Sequence, residues 1–503
     1  MSTGTDRRSF LLALAGAAAI TGFDSANRAW ATSGDPSPFS KLPPLDGRFL
    51  LLPADLAPYE DDFGHIVHET PVAVLQPASV QDVAAMIGFC GPLGIPVAPR
   101  GQGHETHGQA QVCAGVVIDM STLASISVDT SGNAVTAQAG ALWYTVLIAS
   151  VAENLTPPVF PDYLRLSVGG TLSAGGIGGA SSHFGAQVDT VTALEVVTGA
   201  GEIVHCSAAQ NSDLFNAALA GLGQFGVITS ATINLVPAPR KVREYTLAYP
   251  SESALTADQR TVVGDGRFNW LEGQLSPAAP GGWTFALEGA VYYDDNPPED
   301  AVILEGLGYT GTPGIQDSSY TDFVDQLASS VAYLQSTGEW YDPHPWLNVF
   351  LPDPATDAYL QATLTNLTAQ DLGASGVALL YPVPSSLFTR PLLSLPNSDL
   401  VFLFALLRTA SPDTDALSVP AALARNRALY DQAVSAGGTQ YPVGSIPGLT
   451  QADWKNQYGT RWERFAAAKR RYDPYSIMTP GQGIFPGPEG HDGHDGHAGA
   501  RRQ

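Results

Sequence analysis

Apolar and polar positions change rhythm several times along the chain. Residues 72–75 (Val-Ala-Val-Leu) form a short apolar run that predicts a strand. Residues 77–91 then place Val80, Val83 and Ile87 on one face, predicting a helix capped by Ser79. Residues 95–98 predict a second strand, closed by a glycine-rich loop at 99–108. From 116 to 204 the pattern predicts strands alternating with tight turns. One hairpin joins 193–198 to 202–206 through Gly199-Ala200-Gly201, where glycine permits positive φ. Residues 212–220 predict an amphipathic helix, 227–236 a strand, and Pro237-Ala238-Pro239 a boundary.

Beyond that boundary, aromatic-rich runs at 289–293, 346–351, 377–381 and 401–408 predict strands interspersed with helices. This fits a second α+β domain built on an antiparallel sheet. Within it, Trp346 and Asn348 alternate with Leu347 and Val349, so a strand turns the first pair to one face. Residues 454–472 predict one helix. The Pro- and Ser-rich stretch 32–60 reads as a surface arm, and the tail around His491, His494 and His497 as low complexity.

Composition narrows the function. Forty-eight acidic against 24 basic residues give a net charge of -24, which disfavours a nucleic-acid partner. Arg7-Arg8 followed by an apolar run to Ile20 and by Ala29-Trp30-Ala31 matches a twin-arginine export signal. The run is too short to span a membrane, so no stable membrane association is expected after the signal is removed. Cys90, Cys113 and Cys206 have no metal-site spacing; they read as small buried hydrophobes, with no metal expected.

Gly221-Leu222-Gly223-Gln224-Phe225-Gly226 matches a dinucleotide-binding pattern, yet a helix precedes it and a strand follows. The order is reversed, so it is not a Rossmann fingerprint. Two other segments suit a cofactor better. Residues 99–109 (PRGQGHETHGQ) and 168–179 (VGGTLSAGGIGG) supply small residues and backbone N–H groups for a flat, extended ligand.

The series RGQGH (100–104), DYLRLSVGGTLSAGGIGG (162–179), LGQFGVIT (222–229) and PGQGIF (480–485) resembles the vanillyl-alcohol-oxidase type of FAD-binding protein. FNWLEG (268–273), HPWLNVFLP (344–352), WERF (462–465) and RYDP (471–474) resemble cytokinin dehydrogenases in particular. The resemblance implies an α+β fold: a two-part FAD-binding domain at 65–239 and 431–486, with a substrate domain at 240–430 between. A signal peptide (1–31) and an arm (32–64) would precede them, and a disordered tail (487–503) follow.

The same resemblance implies residue roles. His104 would carry FAD covalently through the flavin 8α-methyl. Arg100, Gly101, Gln102, Gly103, Glu105, Gln109, Thr171, Ser173, Gly176, Ile177, Ile228 and Gln482 would contact the cofactor. Glu105 stands where relatives carry Ser. Asp162 would bind the substrate amine and take its proton as C=N forms, and Glu272 would hydrogen-bond the purine. Trp346, Asn348 and Tyr441 would line the substrate side, and a quinone or oxygen would accept the electrons. The expected reaction is oxidative cleavage of N6-isoprenoid adenines. A related exported oxidase of sugars or alcohols, and a flavin-binding protein without turnover, remain the alternatives.

Overall fold

Continuous apolar runs make the strands of the first layer, as a sheet covered on both faces requires. In the computed structural model, which describes residues 20–24, 29–32, 42–278, 281–412 and 414–485, this layer has four strands. They are β1 (Arg48–Leu50), β2 (Ala73–Gln76), β3 (Val97–Arg100) and β4 (Val116–Asp119), in the order β1-β2-β4-β3. β4 runs parallel to both β2 and β3, which demands a crossover. Helix α1 (Val80–Cys90) supplies it, with the Ser79 hydroxyl accepting from the Asp82 amide at its start.

Residues 42–64, expected as a surface arm, are instead part of this layer. β1 pairs antiparallel with β2, and Leu42, Leu45 and Phe49 are buried in the main core. A three-residue edge strand leaves too little alternation to read; its partner defines it. The paired arginines and the tail histidines lie outside the described residues. Ile20–Asp24 and Ala29–Thr32 pair as two antiparallel strands.

The second sheet is antiparallel: β5 (Ile126–Asp129), β6 (Ala134–Gln138), β7 (Val191–Thr198), β8 (Ile203–Ser207) and β9 (Gly226–Asn234), ordered β8-β7-β9-β6-β5. Gly201, at φ +81°, makes the β7–β8 turn. Between β6 and β7 lie α2 (Trp143–Val151) and α3 (Val168–Ala174), where strands and tight turns were expected. Trp143, Val146, Leu147 and Ser150 are buried at helical spacing, so the 3.6-residue period prevails there. Helix α4 (Ser212–Ala218) packs beside β8.

The third sheet has eight antiparallel strands: β10 (Lys241–Tyr249), β11 (Trp270–Pro277), β12 (Trp283–Tyr293), β13 (Thr310–Ser319), β14 (Leu347–Pro352), β15 (Val377–Pro384), β16 (Leu400–Leu407) and β17 (Thr439–Gln440). Their order is β13-β10-β12-β11-β15-β16-β14-β17. Leu247, Leu275, Leu287, Leu347, Leu380 and Phe404 point to one face. There they form a core with α5 (Glu252–Asp265), α7 (Asp353–Asn366) and α8 (Val419–Ser435). The opposite face meets the first two sheets. Helix α6 (Leu327–Thr337) precedes β14 and buries none of its residues.

The helix expected at 454–472 is two: α9 (Gln451–Tyr458) and α10 (Trp462–Tyr472). Gly459, at φ +51°, breaks them apart. After α10 the chain returns to β3, where Thr479 donates its amide to Val97 and Val97 donates to Ile477. Lys469 secures this return. Its buried ammonium sits 2.7 Å from Asp473 and donates to the carbonyls of Gln224 and Met478. Of the cysteines, Cys90 and Cys206 are buried, whereas Cys113 is exposed. A loop position at 113 escapes the general burial of free cysteine.

Candidate active site

Where the third sheet meets the other two, a cavity of about 480 Å³ opens. Its floor follows from period-two alternation. Trp270, Glu272 and Gln274 on β11, Glu288 on β12, and Leu379 and Tyr381 on β15 line it. Their sequence neighbours Leu271, Leu275, Leu287 and Leu380 point to the opposite core. Trp346 and Asn348 lie on the cavity side too, as their alternation predicts.

The roof comes from loops. The segment after β3 enters at Arg100, and Gly103 turns it at φ +65°. A side chain at Gly101 would lie 2.0 Å from the Ser167 hydroxyl. Three hydrogen bonds tie this loop to 443–445. Thr106 donates to Val443 at 3.0 Å, Gln109 to Gly444 at 3.0 Å, and Ser445 to Thr106 at 2.8 Å. Thr171, Ser173, Gly176 and Ile177 follow from α3 and its C-terminal turn, Ile228 from β9, and Gln482 from the C-terminal return. All the residues singled out in the sequence, from Arg100 to Gln482, line this one cavity.

His104 is half-buried in the cavity wall, its ring stacked 4.0 Å from Phe63. Phe63 stacks on His344 at the same separation, and Trp346 meets His104 edge-on at 5.8 Å. Burial and the neighbouring His344 push the His104 pKa down to about 3, so its imidazole is neutral. Glu105 beside it is pushed up to about 7 by burial and by Asp62. Asp62 itself accepts from the Gly64 and Gly108 amides at 3.0 and 2.7 Å.

In the same cavity, Asp162 Oδ2 accepts a 2.7 Å hydrogen bond from the Tyr381 hydroxyl. Burial raises Asp162 to about 6, although Tyr381 and the Gly179 amide pull it back. Glu272 is raised well above the usual carboxylate range by burial, then by Asp162 and Glu288, and Tyr381 pulls it back. Burial thus shifts both carboxyl groups toward their protonated forms. Tyr441 accepts from the Gly176 amide at 3.1 Å.

Gly178 and Gly179 lie off the cavity lining, whereas Gly176 is on it. A side chain at Gly176 would strike Gln187 at 2.0 Å, and one at Gly179 the Trp270 indole at 2.2 Å. One at Gly178 would lie 2.2 Å from the Phe160 carbonyl. These three make room for the protein's own groups, Asp162 among their neighbours. Gly170 is exposed and lines the cavity, as a ligand-facing glycine should. The reversed pattern at 221–226 does follow a helix, α4, and enter a strand, β9. Even so, Leu222, Gly223 and Gly226 face the cavity without any helix N-terminus.

The cavity suits FAD on the protein's own geometry. Small residues and backbone line one end, apolar and aromatic groups the other. Asn348 Nδ2, buried and without a partner, lies in the wall where a ligand acceptor would satisfy it. Residues 71–207 match the family model described as FAD binding domain. Residues 275–485 match the model described as Cytokinin dehydrogenase 1, FAD and cytokinin binding. Cytokinin dehydrogenase 10 of Oryza sativa subsp. japonica is 36% identical, over 84% of this chain and 86% of that protein.

The chain belongs to the cytokinin dehydrogenase family. Like the family, it is an FAD-dependent oxidoreductase. An uncharacterized oxidoreductase of the fasciation locus of Rhodococcoides fascians is 40% identical, over 84% of this chain and 95% of that one. The fold is shared with 6-hydroxy-D-nicotine oxidase of Arthrobacter nicotinovorans at a TM-score of 0.66. The identity there is 20%, covering 86% of this chain and 96% of that one. Within this cytokinin dehydrogenase-type site, Tyr381, Glu288, Phe63 and His344 were not singled out in the sequence. A buried tyrosine at even spacing from Val377 and Leu379 is the one signal that marks Tyr381.

Proposed function

We propose that the protein oxidises the secondary amine of N6-isoprenoid adenines, yielding an imine that water hydrolyses to adenine and an aldehyde. The arrangement of Asp162, Tyr381 and Glu272 around one end of the cavity carries this reading. Cleaving such an amine requires a base at nitrogen and a hydride acceptor near carbon. FAD, when bound, supplies the acceptor.

The chain's own groups supply the rest. Asp162 is ionised above about pH 6 and accepts the N–H proton as C=N forms. Glu272, which burial shifts toward its protonated form, would hydrogen-bond the purine ring. Tyr381 fixes Asp162 in place, and Trp346 offers an apolar wall to the isoprenoid group. Asn348 Nδ2 gives a free donor on the same side. Arg100 and the small residues of 101–103, 169–176 and 223–228 would hold the cofactor.

His104 is read as the covalent attachment point, supported by its neutral ring, fixed by Phe63, in the cavity wall. A quinone or oxygen would re-oxidise the flavin. The paired arginines and following apolar run support export by the twin-arginine route. No helix among the described residues is long and apolar enough to cross a membrane.

Anaerobic mixing of purified holoenzyme with isopentenyladenine tests the reaction. Rapid bleaching of the flavin bands is the expected result. Bleaching by a sugar or simple alcohol, with none by isopentenyladenine, would overturn it.

A further inference from the structure

If Asp162 takes a proton at each turnover, that proton must leave a buried site before the next. We propose that it leaves through a row of carboxyl groups crossing the large sheet: Glu272, Glu288 and Glu244. This inference rests on the reading above.

The strand register sets the row. β15 pairs with β11 so that Leu380 faces Gly273, which brings Tyr381 beside Glu272. Glu272 lies directly opposite Glu288 across the β11–β12 ladder. Glu288 lies opposite Thr246 on β10, with Glu244 one diagonal step away on the same face. Opposed side chains on one face have Cβ atoms roughly 4.5–5.5 Å apart, and diagonal ones sit within reach of long side chains. Glu244 ends the row at the edge strand β13, accepting from Gln316 at 2.8 Å and from Ser318. Gln316 is exposed there.

Three like groups in such a row are costly if all are ionised. Their hydrogen-bond partners, Tyr381, Gln316 and Ser318, are neutral. Arg243 offers no relief, because it points to the other face of β10 and pairs with Asp300 and Asp317. Burial therefore shifts the inner two, Glu272 and Glu288, toward their protonated forms. Burial and Glu244 raise Glu288, as burial, Asp162 and Glu288 raise Glu272. A carboxyl row that is partly protonated, begins at the base and ends in solvent can pass a proton along it.

The balance is simple. The substrate carbon loses a hydride to the flavin, and its nitrogen loses a proton to Asp162 as C=N forms. Asp162 returns that proton to Tyr381 as Tyr381 passes its own to Glu272; Glu272 passes one to Glu288, Glu288 one to Glu244 and Glu244 one to water, so each group ends as it began. One proton appears in solution per flavin bleached. Glu288 and Glu244 touch no reacting atom and act as relay residues.

The test is a single turnover of holoenzyme with isopentenyladenine in weak buffer, recording flavin bleaching and a pH-indicator dye together. In the wild type, proton release should keep pace with bleaching. In Glu288→Gln and in Glu244→Gln, release should lag bleaching by about tenfold or more, and a small weak acid such as formate should restore it in part. Glu244→Gln, at the sheet edge, guards against a folding defect at Glu288. Release that keeps pace in both variants would overturn the relay alone. Absence of bleaching in the wild type would overturn the substrate reading, and the relay with it.

Discussion

The Tyr381 hydroxyl, on β15 of the large sheet, donates a 2.7 Å hydrogen bond to Asp162 Oδ2, on the loop before α3. One bond thus ties the large sheet to the loop before α3. It favours the carboxylate, against the burial that raises Asp162.

Wild-type bleaching should therefore fail as pH falls through about 6, where Asp162 takes up its proton. Tyr381→Phe removes a bond worth about 1 kcal/mol and shifts this acid limb upward. Stopped-flow bleaching rates from pH 5 to about 9 check this. Asp162→Asn should slow bleaching by about 10²–10⁴-fold at every pH.

The same carboxyl group affects stability. Its folded pKa, about 6, lies above the unfolded value of about 4, so the native state binds the proton more tightly between the two. That contribution is full below about pH 4 and is lost as pH rises through about 6. Asp162→Asn should then melt above the wild type at pH 8, by the equivalent of about 2 kcal/mol or less. The two melting curves should converge in acid, as calorimetry across pH would show.

His104→Ala should leave the acid-precipitated pellet colourless, the flavin staying in the supernatant. The wild-type pellet should stay yellow. Colour lost from the wild-type pellet would refute the covalent link.

Asn348 carries a buried, unpaired Nδ2. Asn348→Leu should raise the thermal midpoint of substrate-free holoenzyme by the equivalent of about 1 kcal/mol, since an unsatisfied donor is removed. The same change should raise KM for isopentenyladenine. A higher midpoint with unaltered KM would place Asn348 outside the substrate site.

Lys469→Met leaves the buried Asp473 carboxylate without its cation, at a cost of about 3–5 kcal/mol. Asp473 also holds the amides of Ile477 and Met478, next to Thr479 and Gln482 in the cavity wall. Urea unfolding should show the loss, and flavin content of the purified protein should fall with it.

Much of the site was legible where a period of two met a motif. Trp346 and Asn348 follow from alternation around Leu347 and Val349, and the loop at 99–109 from its small residues. Asp162 became legible through the family resemblance. Tyr381 did not, because only the register of β15 against β11 brings it to Asp162. Phe63 was hidden in a stretch whose proline content suggested an arm, though it packs on His104. The glycines at 178 and 179 suggested contact with a ligand, yet the Phe160 carbonyl and Trp270 occupy the space their side chains would take. Helix α2 was missed because its residues Trp143 to Val151 are apolar on more than one face.

The stitching of the His104 loop to 443–445, and of β3 to 477–479, bears on how the protein matures. These contacts join segments more than 300 residues apart in the chain. While the ribosome still holds the last strands, the roof over His104 is open and the apolar floor of the large sheet is bare. Closure of the roof must then follow synthesis of almost the whole polypeptide, since its last contacts come from residues 443–445 and 477–479.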